Sequence, residues 1–268
     1  MKNKYKSLKE FLVSHVQEGR NSFCFDEVYT YHGGSRASVR QSLYRLVKAK
    51  ELFSPKHDFF VIVPPEHQNR GSVSSLWFID AYMRGISCPY YVGLLSAAAL
   101  LGAGHQQPQV LQVLAQKQLT PIQKREAHVQ FYTSPVIDTQ FLISHKTPYG
   151  YVGVSSPALT VMDLFRFPHA SGYLNNMATV IIELADQIHI RDLKKVMERQ
   201  PSKIPHVQRL GYMSETLGLS KIAEVCESFV LKQKHLNGVS LNPHLKNGEG
   251  DLDPKWKLII NDTIETDL

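Results

Sequence analysis

A run of basic and polar side chains between Ser35 and His57 has the residue types that bind nucleic acid. Within Arg36–Ala49, apolar residues recur at helical spacing and form one stripe, made of Val39, Leu43, Leu46 and Val47. The opposite face is basic and polar, and no acidic residue occurs between Arg36 and Lys50. A solvated helix usually mixes charges of both signs, so this face is typical of a helix that meets phosphates.

We expect ten residues of this region to bind DNA. The first turns of a recognition helix lie nearest the base edges, and we assign Arg36, Ser38 and Gln41 to them. The side chains assigned to phosphates are Arg40, Tyr44, Arg45, Lys48, Lys56 and His57. Ser35, which caps the helix, completes the predicted interface.

Several elements must position this face. The spacing of apolar residues predicts a first helix within Ser7–Glu18, and Asp26 can cap a second helix, Glu27–Tyr31, that ends at Gly33-Gly34. Ser22–Phe25 is extended, and Glu51–Val63 reads as two strands around a turn with Pro55. This order predicts a winged helix-turn-helix in residues 1–70. Winged modules also serve as protein-binding scaffolds, which remains the alternative interpretation.

The charge distribution agrees with a polyanion at the N-terminal end. The chain has 30 Lys and Arg against 24 Asp and Glu, a net charge of +6. Residues 1–70 hold 12 of these basic and 7 of these acidic residues, which leaves +1 for the other 198 residues. A basic module therefore precedes a nearly neutral one.

Residues 71–268 are predicted to form a larger mixed α/β domain with a C-terminal helical block, so the fold class is α+β. The predicted strands are Val110–Ala115, Val129–Thr133, Gln140–Ser144, Tyr151–Val154 and Trp256–Asn261. The predicted helices are Asp80–Arg84, Tyr90–Leu101, Ala158–Phe165, and approximately 173–188, 190–199, 205–217 and 221–234.

No pattern in the chain favours an enzyme. The 12 histidines show no metal-ligand spacing, and we interpret them as surface or satisfied core residues. The segments with Ser96 and Ser155 lack the last glycine of a nucleophile elbow, and no phosphate-cradling glycine motif occurs. We therefore predict no catalytic residue, no metal and no cofactor.

Two aspartates require separate interpretation. Asp138 and Lys146 distantly resemble a metal-dependent nuclease core, but the second carboxylate of such a site is missing. We expect Asp163 to bond locally or to pair with Arg166 rather than to act as an exposed functional acid.

The chain has the composition of a globular protein of the cytoplasm, with 43% hydrophobic residues. The longest apolar stretch, Cys88–Ala103, is too short for a membrane span, and no apolar segment follows the basic N-terminus. The three cysteines are far apart, as in a reducing compartment. We expect neither a membrane partner nor a disulfide.

Three stretches together resemble the AbiEi family of antitoxins. The first is Pro89–Leu100 (PYYVGLLSAAAL), followed by Gln107–Val110. The second is Val154–Leu164 (VSSPALTVMDL), and the third is the tail with Leu241–Pro243 and Asp253–Leu258. With the basic module in front, the resemblance covers nearly the whole chain.

The resemblance implies an antitoxin of a bacterial type IV toxin-antitoxin system, associated with abortive phage infection. In such systems the N-terminal domain binds inverted repeats in the promoter of its own operon and represses transcription. The C-terminal domain counteracts a nucleotidyltransferase-like toxin without a stable complex. A homodimer on the palindromic operator is possible on symmetry grounds. The alternatives are a ligand-responsive one-component regulator and a metal-dependent DNA nuclease.

Overall fold

The computed structural model describes residues 7–103, 108–199, 204–245 and 250–265. Its helices are α1 (Leu8–Gln17), α2 (Phe25–His32), α3 (Arg36–Lys48), α4 (Ile79–Gly85), α5 (Leu94–Leu100), α6 (Pro157–Arg166), α7 (Tyr173–Leu184), α8 (Ile190–Arg199), α9 (Ile204–Thr216) and α10 (Ser220–Val230). Its strands are β1 (Ser22–Cys24), β2 (Leu52–Lys56), β3 (Phe59–Ile62), β4 (Tyr90–Val92), β5 (Leu111–Ala115), β6 (Ile122–Lys124), β7 (Ala127–Thr133), β8 (Leu142–Thr147), β9 (Gly150–Ser155), β10 (Val239–Ser240), β11 (Asp251–Asp253) and β12 (Leu258–Ile260).

The chain forms two compact units. The first contains Met1–Tyr91, Gln109–Ile137 and Ser144–Gly153. The second contains Val92–Pro108, Asp138–Ile143 and Val154–Leu268. The boundary that we predict near residue 70 stays a prediction.

The first unit begins with the helices and the hairpin that the sequence predicts. Strands β2 and β3 form the antiparallel hairpin, and β1 pairs with β3 on the other side, which makes the strand order β1-β3-β2. The helices pack around a core of apolar side chains that includes Phe11, Val28, Val39, Leu43 and Leu52. This element order is the one that the sequence predicts for residues 1–70.

The start of α2 differs from the prediction. The helix begins at Phe25 rather than at Glu27, and Cys24 rather than Asp26 occupies the cap position. The Glu27 carboxylate accepts a hydrogen bond from the Cys24 backbone N–H at 2.8 Å, which satisfies a donor that the first turn leaves free. The helix ends at Gly33, as predicted, because that residue has a positive φ of 70°.

Apolar packing in the first unit continues beyond the hairpin. Phe78, which is fully buried, lies 6.1 Å from Phe53 and 6.3 Å from Phe59 between ring centroids. Strand β7 pairs in parallel with β5 and in antiparallel with β6. Strand β6 was not predicted, because its three residues, Ile122–Lys124, include only one apolar side chain.

The second unit is mainly helical. In helix α6 every residue from Ala158 to Phe165 is buried. This helix contacts α5, α7, α8 and α9. The predicted helices near 158–165, 190–199, 205–217 and 221–234 are present as α6, α8, α9 and α10. The helix predicted over 173–188 ends earlier, and a short 3-10 turn follows it at Ala185–Gln187.

The helix predicted over Tyr90–Leu101 is wrong at its start. Tyr90–Val92 is strand β4, and Val92 pairs in parallel with Val154 of β9. Helix α5 begins only at Leu94, after Gly93 in an extended conformation. A short aromatic and β-branched segment is compatible with either state, and pairing with a distant strand selects the extended one.

A buried tryptophan lies between two of the C-terminal strands in the sequence. Strands β10, β12 and β11 form a small sheet in that order, and only β12 was predicted. Trp256 is fully buried, and its indole Nε1 donates a hydrogen bond to Glu215 at 2.6 Å. Its ring lies against Gly211 of α9, where an added Cβ would overlap the indole.

The mixed α and β composition confirms the predicted α+β class. In the described ranges, no helix combines the length and the apolar character that crossing a membrane requires.

Candidate nucleic-acid interface

Helix α3 presents its predicted binding face to solvent. Val39 and Leu43 are buried on the opposite side, which confirms the apolar stripe. The exposed residues are Ser35, Arg36, Ser38, Arg40, Gln41, Tyr44, Arg45 and Lys48. The Ser35 side chain accepts a hydrogen bond from the Ser38 backbone N–H at 3.1 Å, so the predicted cap is present.

The last two turns of α3 carry cations without counter-charges. Arg45 and Lys48 are exposed, and in the described part of the chain neither side chain makes an ion pair. Tyr44, which precedes Arg45 in the sequence, is 67% exposed. This end of the helix therefore offers two positive charges and a phenol to an anionic partner.

Arg40 has a different environment. Its Nη1 and Nη2 atoms donate hydrogen bonds to the two carboxylate oxygens of Asp58, at 2.7 and 3.1 Å. Its guanidinium also lies over the Phe25 ring, 4.3 Å from the centroid. The hydrogen bonds from Arg40 lower the pKa of the Asp58 carboxyl, so this pair is ionised at neutral pH.

Arg36 has a similar but looser arrangement one helical turn earlier. Its Nη2 donates to the Asp26 carboxylate at 3.2 Å. Its guanidinium lies 4.9 Å from the Phe25 centroid and 5.1 Å from the Tyr29 centroid. Both arginines of the first turns therefore share one aromatic ring, and each has one aspartate.

The hairpin tip is fixed to the start of α2. Asp58 has a positive φ of 58°, and its backbone carbonyl accepts a hydrogen bond from the Phe25 N–H at 2.9 Å. His57 projects from the tip, with 84% of its side chain exposed. The tip is therefore bound to α2 through Phe25 and to α3 through the pair of Asp58 and Arg40.

Lys56 instead binds the chain segment at Thr120 and Pro121. Its ammonium donates hydrogen bonds to the Thr120 hydroxyl at 2.6 Å and to the Thr120 and Pro121 carbonyls at 3.0 Å. Burial lowers the pKa of this ammonium. In this structure Lys56 anchors the hairpin and, unlike Arg45 and Lys48, is not free for a phosphate.

Asp26, Asp58 and Phe25 contact the two arginines but are not among the interface residues that the sequence predicts. A pattern of cations in the sequence does not reveal an acid that orients one of them. The signal was present in the turn sequence His57-Asp58-Phe59, because Asp tolerates the positive φ of a tight hairpin turn.

The other candidate residues have structural contacts. Asp163 is fully buried and pairs with Arg166 at 2.5 Å, which confirms the predicted pairing. Asp138 accepts a hydrogen bond from the Gln140 backbone N–H at 3.1 Å and lies 3.9 Å from Arg199. Among the residues that the structure describes, no group of three His, Cys, Asp or Glu side chains could hold a metal ion.

The two serines that we considered as nucleophiles are buried. The Ser155 hydroxyl lies 2.6 Å from the Thr160 hydroxyl, within hydrogen-bonding distance. Ser96 lies inside α5, whose strand-to-helix turn has its positive φ at Leu94. In a nucleophile elbow that strained position carries the nucleophile, and here it carries an aliphatic side chain.

His15 does not fit the predicted pattern. His15 is 5% exposed, and neither ring nitrogen has a hydrogen-bond partner within the described structure. It packs against Phe11, with ring centroids 4.1 Å apart. Burial lowers its pKa, so the neutral imidazole acts as a core side chain.

Comparison with known proteins finds a family match for part of the chain. Residues 91–216 match the family model described as the AbiEi antitoxin C-terminal domain. No curated protein matches the sequence. Among solved structures, the RV2827C protein from Mycobacterium tuberculosis is similar, with a TM-score of 0.66, 13% identity, and coverage of 95% of this chain and 92% of that chain. At this identity the similarity concerns the fold alone.

Proposed function

We infer from residues 91–216, which match the model of the AbiEi antitoxin C-terminal domain, that the chain is the antitoxin of a type IV toxin-antitoxin system. We propose that its N-terminal module binds inverted repeats in its own promoter and represses the operon. The rest of the chain counteracts a nucleotidyltransferase-like toxin. It acts by binding rather than by catalysis.

One observation carries the DNA-binding part of this proposal. The outer face of α3 is exposed along its whole length, and the cations in its last two turns have no counter-charge among the residues that the structure describes. Unpaired cations on a helix are attracted to the phosphates of a duplex, and binding releases the condensed counterions of the DNA. The hairpin tip with His57 is close enough to α3 to contact the same duplex, because Asp58 pairs with Arg40.

The antitoxin part rests on the family alone. The family supports an antitoxin role, and the neighbouring toxin, the type IV mechanism and a dimer on DNA are proposals. The antitoxin reading predicts a nucleotidyltransferase-like reading frame beside the gene. It also predicts that the full chain restores growth when that toxin is expressed.

A double substitution separates the two activities. Arg45→Gln with Lys48→Gln removes two phosphate contacts, and each contact contributes about 0.9 to the slope of log affinity against log salt. When salt rises from about 50 to about 200 mM, the affinity of the protein for DNA falls, and for each lost contact this fall should be smaller by a factor of about 3 to 4. We expect the variant to lose repression of a promoter fusion while it still restores growth against the toxin.

The matched control is Lys194→Gln with Lys195→Gln on α8, which changes the net charge equally at a different place. If both double variants weaken DNA binding to the same extent, net charge rather than α3 is responsible. If the wild-type chain binds no duplex from its own promoter, the repressor proposal is wrong. Failure of the full chain to restore growth contradicts the antitoxin proposal independently.

A further inference from the structure

The first two turns of α3 are electrostatically different from its last two. Arg36 and Arg40 lie four residues apart, so they project from the same side of the helix. Each is paired with an aspartate from another element: Asp26 belongs to α2, and Asp58 belongs to the hairpin turn. Arg45 and Lys48 make no ion pair within the described ranges.

We propose that Asp58 and Asp26 are positioning residues that hold Arg40 and Arg36 for hydrogen bonding to guanine edges, while Arg45 and Lys48 bind phosphate. This proposal rests on the DNA-binding function proposed above. It moves Arg40 from the phosphate contacts to the base contacts and adds two acidic residues to the site.

Electrostatics separates the two roles. A phosphate that approached Arg40 would also approach the Asp58 carboxylate, and two negative charges repel each other. The guanine O6 and N7 atoms are neutral acceptors, so the same pair can approach a base edge without that repulsion. A guanidinium has five N–H donors, and the two used on Asp58 leave three for a base.

Preorganisation favours the same assignment. Arg40 is held on two sides, by Asp58 and by the Phe25 ring 4.3 Å below its guanidinium. The Phe25 N–H in turn binds the Asp58 carbonyl, which couples the aromatic support to the acid. An arginine that is already ordered loses less conformational entropy on binding, and a fixed fork discriminates between base edges.

The position in the helix agrees as well. The N-terminal turns of a recognition helix lie nearest the base edges, whereas its later turns lie nearer the backbone. Arg36 and Arg40 occupy the N-terminal half, and Arg45 and Lys48 the C-terminal half.

The experiment measures the affinity of the full-length protein for two duplexes over a range of salt concentrations. One duplex carries the site that the wild-type protein protects upstream of its own gene, and the other is a shuffled sequence of equal length. For Arg40→Gln we expect an unchanged salt slope and a specificity ratio reduced by about 5- to 150-fold, the loss of one bidentate base contact. For Arg45→Gln we expect a slope smaller by about 0.9 and an equal loss on both duplexes.

Two further variants test the aspartates themselves. Asp58→Asn removes the repelling charge and releases Arg40, so we expect tighter binding to shuffled DNA and a lower specificity ratio. Arg40→Lys keeps the charge but loses the fork, so its salt slope should match the wild type while its specificity falls. Thermal unfolding of each variant shows whether the fold is retained.

The proposal is overturned if Arg40→Gln decreases the salt slope as much as Arg45→Gln does and leaves the specificity ratio unchanged. The proposed DNA-binding function would still hold in that case. Weaker binding of Asp58→Asn to shuffled DNA in a folded protein also overturns it. If the wild-type chain binds neither duplex, the proposed function itself fails, so the two failures are distinguishable.

Discussion

The buried pair of Asp163 and Arg166 allows a quantitative test of whether Asp163, in the segment Val161–Phe165, has a structural or a functional role. Asp163 is fully buried, the Arg166 side chain is 8% exposed, and Nη1 lies 2.5 Å from Oδ1. Asp163→Asn keeps the shape of the side chain but removes its charge. The buried guanidinium then loses the charge of the Asp163 carboxylate.

Breaking a buried pair by changing one partner costs about 3–5 kcal/mol, because an uncompensated charge stays in a low dielectric. Total stabilities of domains are about 5–15 kcal/mol, so this loss is a large fraction of the whole. We expect a correspondingly lower urea midpoint for the full chain in far-UV circular dichroism. The exposed Asp186→Asn, on the same unit, is the control and should change the midpoint little.

A double variant separates the pair from the site that it occupies. Replacing both partners with apolar residues, Asp163→Leu with Arg166→Met, should recover much of the loss, since buried pairs are often replaceable by packed hydrophobic residues. If Asp163→Asn unfolds at the wild-type urea concentration but no longer restores growth against the toxin, the structural interpretation is refuted and Asp163 is a functional acid.

Three further predictions concern stability. Gly211→Ala on α9 should lower the thermal unfolding temperature, because the added Cβ overlaps the Trp256 ring, although alanine normally favours helices. The control is Gly85→Ala on α4, where the new Cβ lies 3.6 Å from Cys24 Sγ, and it should be neutral or stabilising in the same assay. His15 has a lowered pKa, so the unfolded chain binds a proton more readily, and the stability that the neutral ring contributes is present above pH 6.5 and lost below it. We therefore expect the free energy of unfolding to fall more between pH 7 and pH 5.5 in the wild type than in His15→Leu, and parallel curves would contradict this. Ser35→Ala removes the α3 cap and should cost about 1 kcal/mol in urea unfolding, whereas Ser35→Asp should retain most of the stability.

Much of the N-terminal module was predictable from local patterns. The stripe of Val39 and Leu43, the cap at Ser35 and the stop at Gly33 each depend on residues within a few positions of one another. Such signals act through backbone geometry that is the same in any fold. The exposure of the α3 face follows from the same periodicity.

The basic residues of α3 could be predicted from the sequence, but the acidic residues that pair with them could not. The sequence shows that Arg36–Lys50 contains no acidic residue. It does not show that Asp58, eighteen residues after Arg40, reaches the same guanidinium, because that contact depends on the hairpin folding back onto α3. The hydrogen bonds of Lys56 are hidden from the sequence for the same reason, since its partners Thr120 and Pro121 lie more than sixty residues away.

The C-terminal part shows the same division. The sequence alone determined that α6, α8, α9 and α10 are helices, because their amphipathic or apolar patterns extend over ten or more residues. Only the tertiary structure decided that Tyr90–Val92 is a strand, that Asp163 is buried with Arg166, and that Trp256 packs on Gly211. Helix periodicity is a local property, whereas strand pairing, buried ion pairs and close packing depend on residues that meet only after the chain has folded.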